Sequence, residues 1–493
     1  MDLKKAEDRR GNMAETYREL YRPQFHLTPP EGPMSDPNGM VFYEGEYHQF
    51  YQFTGRWGHA VSRDLLHWEH LPLALVADEL GDVWSGSAVV DWRDSSGFFG
   101  GGSGLVAIFT HFKEGLQSQS IAYSLDKGRS WVKYAGNPVI PNPGLQDFRD
   151  PKVLWHEGTG RWVMAVSVDR AIHFYSSPNL REWRFESNFS GAGCQDAVWE
   201  CPDLFRLPVL GEDGESRWVL HVSVGDNEIT DGSTAQYFVG HFDGRRFVCE
   251  HEDDRPRWTD FGQDFYAAVS YSDIPQEDGR TIWLAWTSNW QYPFHSPTEP
   301  WKGGMSIPRT LGLARNGSGE LRLVQQPIRE LSTLREEPLE YGPVEIKDEI
   351  LRLPFKGLSY EFEAEVSWDS AAEFGIRVRV SDDEHTVLGV SPPRGELFLD
   401  RRSSGFSELP KRTGGTANFA KVLRAPRSLE AGRLTMRGFV DDSVIEWFIG
   451  NGEEVFTSLV YPRPDSAGLE LFAYGGNVSF SQFTVYPLKP VWI

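Results

Sequence analysis

The chain has 493 residues, too many for one ordinary hydrophobic core, so two domains are expected. A formal net charge of −22 argues against nucleic acid and anionic membrane surfaces as partners, because both would repel it. Three cysteines are too few for a disulfide framework or a zinc site, and no metal or other cofactor is expected.

The N-terminal residues 1–22 are predicted to be an extension that holds a short charged helix at about residues 13–20. They contain no apolar segment typical of a signal peptide, and no apolar run of the chain approaches membrane-spanning length. The expected location is therefore cytoplasmic for the chain as given, or extracellular if a leader has been removed.

From residue 23 onward, short apolar and aromatic runs alternate with clusters of Gly, Asn, Asp and Pro, which is typical of an all-β fold. One unit recurs: an alternating strand that ends in Ser, a polar turn, and an aromatic residue that begins the next strand. Its copies are GHAVSRDLLHW (58–68), SIAYSLDKGRSW (120–131), IHFYSSPNLREW (172–183) and, more loosely, YFVGHFDGRRF (237–247). A fifth unit is expected around RTIWLAWTSNWQY (280–292). This spacing predicts a five-bladed β-propeller over residues 23–335.

The pattern changes after the propeller segment. Residues 336–356 are highly charged and predict a linker. Residues 357–493 alternate again, with turns at steady intervals, and predict a C-terminal β-sandwich. Nothing in the sandwich sequence indicates a second active site, and both a monomer and a homodimer are compatible with it.

Three acidic residues, Asp36, Asp150 and Glu200, lie in three different predicted blades. Asp36 and Asp150 directly precede a proline, which restricts the backbone of the residue before it. Each of the three, taken singly, fits a structural turn. Because the innermost strands of a propeller converge on its axis, the three carboxyl groups are predicted to meet there.

The sequence settings of these residues suggest different protonation states. Glu200 is flanked by Trp199 and Cys201, and apolar neighbours disfavour a charged carboxylate, so a protonated general acid is predicted there. Asp36 precedes Asn38-Gly39, which predicts a tight turn, and a solvated carboxylate at this point would act as a nucleophile.

Several motifs resemble glycoside hydrolase family 32, the β-fructofuranosidases that include invertases, levanases and inulinases. They are SDPNG (35–39), WSGSA (84–88), FRDP (148–151), ECPDLF (200–205) and SIPR (306–309), in the family's order. Stretches such as QYFVGHFDG and SNWQY are most similar to levanases and exo-inulinases. The similarity extends over nearly the whole chain.

The resemblance implies a five-bladed propeller joined to a β-sandwich, and a neutral fructose-containing oligo- or polysaccharide as substrate. It assigns Asp36 as nucleophile, Glu200 as acid/base and Asp150 as transition-state stabiliser, in a reaction that retains configuration. The substrate-binding residues that it implies are Ser35, Gln52, Trp57, Trp84, Ser85, Arg149 and Trp290. For Trp290, core packing is an equally good interpretation.

Two departures from the family pattern lie beside the nucleophile motif. Pro33-Met34-Ser35 stands where the family usually has Trp-Met-Asn, and the segment after Tyr51 is shorter than in relatives. Both would open the mouth of the pocket. A fructosyltransferase and an endo-acting or difructose-releasing levanase therefore remain alternatives, as does a fructan-binding propeller without catalysis. The sequence does not decide between β-2,1 and β-2,6 linkages.

Overall fold

The computed structural model describes residues 17–251 and 253–492. Within them the chain divides into two compact units. The first comprises Met34–Gln291 and Met305–Glu330, and the second comprises the described residues up to Pro33, Tyr292–Gly304 and the described residues from Leu331 onward. The predicted N-terminal helix lies largely outside the described residues, and residues 17–20 form turns and bends.

The first unit consists of five four-stranded antiparallel sheets, which are the blades of a propeller. Blade I contains Pro37–Tyr43, Glu46–Gln52, Trp57–Ser62 and Trp68–Leu75, and blade II contains Asp82–Val90, Leu105–Lys113, Leu116–Ser124 and Val132–Lys133. Blade III contains Arg149–His156, Arg161–Val168, Ala171–Ser177 and Arg184–Ser190, and blade IV contains Trp199–Pro208, Ser216–Asn227, Gly232–Phe242 and Phe247–Cys249. Blade V contains Tyr266–Ser270, Ile282–Trp286, Arg309–Arg315 and Leu321–Pro327. The predicted five-bladed propeller is confirmed.

The recurring sequence unit joins the third strand of a blade to the fourth, and a hydrogen-bonded turn explains why it recurs. In blade I the Ser62 hydroxyl donates to Asp64, whose Oδ1 accepts the backbone N–H of Leu66 at 3.0 Å. Blades II and III repeat this turn with Asp126 and Asn179 as acceptors. Such local side-chain turns are set by a few neighbouring residues, so the sequence reveals them. The fifth predicted unit differs, because it supplies the second strand of blade V.

The ring of blades closes between blade V and blade I. Ser272, which follows the innermost strand of blade V, makes two backbone hydrogen bonds of 2.9 Å with the innermost strand of blade I. Its carbonyl accepts the Phe42 N–H, and its N–H donates to the Met40 carbonyl. The innermost strands of successive blades also contact one another around the whole ring. Side chains on these strands therefore converge on one axis, as the carboxylate prediction requires.

The second unit is built around one long strand, Gly468–Pro487, which pairs with four others. Its strands are Gly32–Pro33, Trp301–Lys302, Leu339–Tyr341, Val344–Lys356, Tyr360–Trp368, Glu373–Val380, His385–Ser391, Glu396–Ser403, Glu408–Pro410, Thr416–Asn418, Val422–Pro426, Arg433–Val440, Val444–Ile449, Glu454–Leu459 and Gly468–Pro487. The short 3-10 helices of the described residues are Arg329–Leu334 and Pro392–Arg394. The predicted C-terminal β-sandwich is confirmed.

The segment predicted to be a linker, 336–356, is instead largely strand. Val344–Lys356 pairs antiparallel with the long C-terminal strand. Near its end Leu353 and Phe355 are buried, whereas Arg352, Pro354 and Lys356 on either side of them are exposed. The alternation is that of a half-buried strand, and the many charges on its solvent face concealed it in the sequence.

Candidate active site

The three acidic residues come together at one end of the propeller axis. Asp36 directly precedes the innermost strand of blade I, whereas Asp150 and Glu200 lie near the start of the innermost strands of blades III and IV. The thiol of Cys201 lies 3.9 Å from Asp36 Oδ2 and 3.6 Å from Asp150 Oδ2. The Arg149 guanidinium contacts Glu200 at 2.8 Å and Asp150 at 3.9 Å. The three carboxyl groups thus form one cluster.

The innermost strands reach this cluster through a repeated irregularity. The pairing register of each shifts close to the site, and Asp150, Cys201 and Ala267 have positive φ angles of 62°, 45° and 57° at those shifts. Left-handed backbone at a residue with a side chain costs about 1–3 kcal/mol and persists where surrounding structure imposes it. These β-bulges redirect the side chains around them toward the axis.

The same device replaces the tight turn that Asn38-Gly39 predicts. Both residues lie within the strand Pro37–Tyr43, where the register shifts after Asn38. Gly39 has φ +54°, and a Cβ there would lie 2.5 Å from the ring of Phe50. The turn prediction is therefore wrong. Glycine is needed at this position for the bulge and for its close approach to an aromatic ring.

Asp36 has one carboxylate oxygen held and one unpaired. The Ser85 hydroxyl donates to Oδ2 at 2.8 Å. Oδ1 is buried and accepts no hydrogen bond from any residue that the structure describes. Burial and the negative charge of Glu200 raise the pKa of Asp36 to about 6, against the opposing effect of the Ser85 hydrogen bond. Such an oriented carboxylate with a free lone pair is suited to nucleophilic attack.

Asp150 is fixed by the backbone of the neighbouring blade. Its Oδ2 accepts the Cys201 backbone N–H at 3.1 Å, and its own N–H donates to Thr110 at 3.0 Å. Burial and the charges of Glu200 and Asp36 raise the pKa of Asp150 to about 7, although Arg149 acts in the opposite direction. The structure thus holds this carboxyl group in one orientation beside the other two.

Asp150→Asn is expected to stabilise the protein increasingly as the pH rises. A folded-state pKa of about 7 exceeds the ordinary value of about 3.9. Ionisation of Asp150 therefore destabilises the folded wild-type protein as the pH rises between these values. The asparagine retains an oxygen for the Cys201 N–H and carries no charge. We expect Tm to rise by about 3–6 °C at pH 8 and by less at pH 5, measured by calorimetry. Asp254→Asn, at an exposed position, is the control. A rise in Tm for Asp150→Asn that is no larger at pH 8 than at pH 5 would contradict the prediction.

Glu200 lies between a cation and a phenol. Arg149 donates to its Oε1 at 2.8 and 3.2 Å, and the Tyr266 hydroxyl contacts Oε2. The side chain is 19% exposed. The apolar setting predicted from Trp199 and Cys201 is therefore not observed, because side chains from other blades surround the carboxyl group. The Tyr266 hydroxyl can donate to an ionised carboxylate or accept from a protonated one, so this contact is compatible with both states.

The other predicted sugar-binding residues lie in different environments. Trp84 is half-buried and stacks on Phe112 with ring centroids 4.1 Å apart. Gln52 is also half-buried and donates to the Val83 carbonyl, and Ser35 is 6% exposed. Trp290 is half-buried and packs edge-on against Trp286 and Tyr266. These residues share the propeller unit with the carboxyl cluster, and their sugar contacts remain predictions.

Trp57 is the exception. Its side chain is 0% exposed, its ring packs against Phe50 and Phe109, and its indole N–H donates to the Trp84 carbonyl at 2.9 Å. A fully buried ring offers no face to a sugar, so the prediction of a substrate contact is wrong. Trp57 instead supports the strand that carries Trp84 and Ser85.

Sequence reasoning did not assign roles to Tyr266, Cys201 and Thr110, which contact the acidic cluster. Tyr266 lies in WTDFGQDFYAAVS (258–270), another stretch that is similar to levanases and exo-inulinases, and Cys201 lies inside the motif ECPDLF, so both had a signal. Thr110 lies in the second strand of blade II and has no motif around it. It reaches Asp150 only because two blades are adjacent.

A buried ion pair lies behind the cluster. Lys152 Nζ is 3.2 Å from Asp203 Oδ1 and donates to the Ser270 carbonyl at 2.6 Å. These residues come from the innermost strands of blades III, IV and V. Lys152 therefore links three blades through its contacts with Asp203 and Ser270. In sequence, Lys152 lies two residues after Asp150, and Asp203 lies three residues after Glu200.

Lys152→Met is expected to destabilise the protein by about 3–5 kcal/mol, because it leaves the Asp203 charge buried without its cation. The measurement is the free energy of unfolding in urea, followed by tryptophan fluorescence. Lys152→Met/Asp203→Asn removes both charges and should recover a large part of the loss. A double variant no more stable than Lys152→Met would contradict the explanation.

Among residues 17–251 and 253–492 no group of three or more His, Cys, Asp or Glu side chains is arranged to hold a metal ion. No helix in that part of the chain is long and apolar enough to cross a membrane.

Most glycoside hydrolases act through a pair of carboxyl groups, and the cluster at one end of the propeller axis supplies such a pair. The family description "Glycosyl hydrolases family 32 N-terminal domain" matches residues 26–327, and "Glycosyl hydrolases family 32 C terminal" matches residues 330–487. The chain belongs to glycosyl hydrolase family 32, as the motifs indicated.

Individual relatives agree with this assignment. A levanase of Bacillus subtilis (strain 168) is 48% identical over 490 residues, which cover 97% of this chain and 72% of the levanase. A levanase of Bacillus sp. (strain L7) is 41% identical, and the chain spans about half of its length, 53%. The crystal structure of an exo-inulinase from Aspergillus awamori superposes with a TM-score of 0.89 at 34% identity, covering 97% of this chain and 100% of that one.

Proposed function

We propose that the protein is a retaining β-fructofuranosidase that releases terminal fructose from fructans, with levan-type chains as the first choice. The observation that carries this proposal is the cluster of Asp36, Asp150 and Glu200 with one unpaired oxygen on Asp36. The levanase and exo-inulinase relatives support fructan as the substrate class. Sucrose and short fructo-oligosaccharides present the same terminal unit.

In the first step Asp36 Oδ1 attacks C2 of the terminal fructosyl unit while Glu200 protonates the departing oxygen. The C2–oxygen bond breaks and a covalent fructosyl–Asp36 ester forms. In the second step Glu200, now ionised, removes a proton from water while the water oxygen attacks C2. The ester bond between C2 and Asp36 breaks, so fructose and the Asp36 carboxylate are released. Arg149 and Tyr266 orient the Glu200 carboxyl group in both steps, because each bonds a different oxygen.

Asp150 serves as the group that stabilises the transition state. Its carboxylate accepts hydrogen bonds from fructose hydroxyls, which strengthen as positive charge develops on the ring. Its fixation by the Cys201 and Thr110 contacts means that little reorganisation is needed on binding. A retaining mechanism also requires the Asp36 and Glu200 carboxyl groups to stand about 5–5.5 Å apart when substrate is bound.

A fructosyltransferase or an endo-acting enzyme is the second candidate. Ser35 is shorter than the asparagine usual in the family, and the segment after Tyr51 is short, so a wider mouth would admit an acceptor sugar or an internal chain segment. The test is product analysis with sucrose, inulin and levan. Free fructose alone supports the first proposal, and longer or cyclic products support the second. No turnover of any fructoside would overturn both.

The pH dependence of kcat/KM should report the ionisation of Asp36. The nucleophile Asp36 and the Asp150 carboxylate must both be ionised, and their pKa values of about 6 and about 7 place the acid limb between pH 6 and 7, so activity falls as the pH decreases through that range. Ser85→Ala removes the hydrogen bond that lowers the pKa of Asp36, so the part of the acid limb that belongs to Asp36 should move upward by about half a unit to one unit. Ser85→Thr keeps a hydroxyl and is the control. An unchanged limb in Ser85→Ala would contradict the assignment.

A further inference from the structure

A second cavity of about 670 Å³ lies in the propeller unit, at the other ends of the innermost strands. Val90, Leu154, Arg206 and Ser270 line it, one from each innermost strand of blades II to V. Arg206 follows Glu200 by six residues on one strand, which places the two about 20 Å apart at 3.3 Å per residue. The cavity therefore opens away from the carboxyl cluster, at the opposite end of the propeller axis.

Indole rings form much of the wall of this cavity. Trp92, Trp155, Trp162 and Trp218 all line it. Trp92 is 57% exposed, yet its indole N–H donates to Asp273 at 2.9 Å, and Asp273 in turn accepts the Val90 N–H at 2.9 Å. An exposed aromatic ring held in one orientation is a preformed stacking surface, because little side-chain entropy is lost when a ligand binds to it.

The charges around the cavity favour a neutral ligand. Two of the cations that line the cavity, Lys152 and Arg280, are ion-paired with carboxylates. Arg93 lies 3.6 Å from Glu157 on the rim, and Arg206 donates to a serine hydroxyl. A phosphate or carboxylate ligand would require a cluster of cations free to bind it. Paired charges beside indole faces instead suit a polyhydroxylated sugar, and the volume lies in the range of ligand-binding pockets.

We propose that this cavity is a second carbohydrate site that binds a fructofuranosyl segment of the polymeric substrate remote from the end being cleaved, with Trp92 as its stacking surface. The inference rests on the proposed function, which makes a fructan the substrate. A polymer that occupies both sites gains avidity that sucrose, with a single terminal unit, does not. The cavity thus raises the apparent affinity for long chains without contributing to bond cleavage.

The test uses affinity electrophoresis of the full chain in native gels that contain levan, inulin or dextran. Glu200→Gln is the background, so that the polymer is not degraded during the run. Adding Trp92→Ala is expected to weaken the levan- or inulin-dependent retardation at least fivefold in apparent Kd, and adding Trp92→Phe is expected to retain most of it. Phe185→Ala, which removes another exposed aromatic outside the cavity lining, is the matched control and should leave the retardation unchanged.

A second readout separates this inference from the proposed function. With the intact Glu200, Trp92→Ala should keep kcat/KM for sucrose within twofold of wild type and lower kcat/KM for levan or inulin by about the loss in polymer affinity. Unchanged retardation by Trp92→Ala, or equal retardation in dextran, would overturn the second site. Failure of the wild type to release fructose from any fructoside would instead overturn the proposed function.

Discussion

Asp36→Asn is expected to lower kcat for sucrose and levan by about 10⁴-fold or more, the scale seen when covalent nucleophiles are removed from other hydrolases. The amide nitrogen or oxygen of asparagine cannot form the fructosyl ester at C2. Asparagine keeps the size of the side chain and an oxygen for the Ser85 hydroxyl, so folding should be preserved. The measurement is initial-rate kinetics of fructose release, with Tm compared at pH 7.5.

Trapping of the covalent intermediate would identify the nucleophile directly. With Glu200→Gln and β-fructofuranosyl fluoride, the ester should form and persist, because fluoride needs no proton to leave and water lacks its general base. Intact-mass analysis should show one added fructosyl unit, and peptide mapping should place it on Asp36. Fructosylation at another residue, or an Asp36→Asn rate within tenfold of wild type, would remove Asp36 from the nucleophile role.

Glu200→Gln is expected to lower kcat/KM for sucrose by about 10²–10⁴-fold, the usual contribution of a positioned general acid. The loss of kcat/KM for β-fructofuranosyl fluoride should be far smaller, because the first step with this substrate needs no acid. Azide should then restore turnover by attacking the ester without a general base, yielding fructosyl azide. The contrast between the two substrates is the diagnostic result.

Two controls accompany this experiment. The exposed Glu182→Gln in blade III should leave both substrates unaffected. Tyr266→Phe removes the contact to Oε2 while leaving the carboxyl group in place, so an intermediate loss on sucrose is expected, with little effect on the fluoride. An equal loss on both substrates in Glu200→Gln would mean that Glu200 serves binding or folding and not proton transfer.

The blades of this protein could be predicted because they depend on patterns between residues that are close in the sequence. The turn that begins at Ser62, and its copies in blades II and III, depend on side chains that bond backbone groups a few residues away. Alternating apolar residues on either side of such a turn make strands. The linker prediction failed where charges masked the same alternation in Val344–Lys356.

The positions of the carboxyl groups were predictable because a propeller brings its innermost strands to one axis. The roles of their neighbours were not. Trp57 and Trp84 read alike as aromatic residues near a motif, yet only the packing of Phe50 and Phe109 shows that Trp57 is fully buried. Similarly, the guanidinium of Arg149 in blade III reaches Glu200 in the neighbouring blade IV and replaces the apolar setting that adjacent residues suggested.

The sequence by itself thus determined the architecture, the family and the three carboxyl residues, because local hydrogen-bonded turns and contiguous motifs carry that information. The tertiary structure alone decided the left-handed bulges at Asp150 and Cys201, the hydrogen bond from Ser85 to Asp36 and the contact of Tyr266 with Glu200. The two contacts join residues 49 and 66 positions apart, and the bulges lie where the innermost strands of different blades converge. Their geometry depends on how the ring of blades closes, which no local pattern encodes.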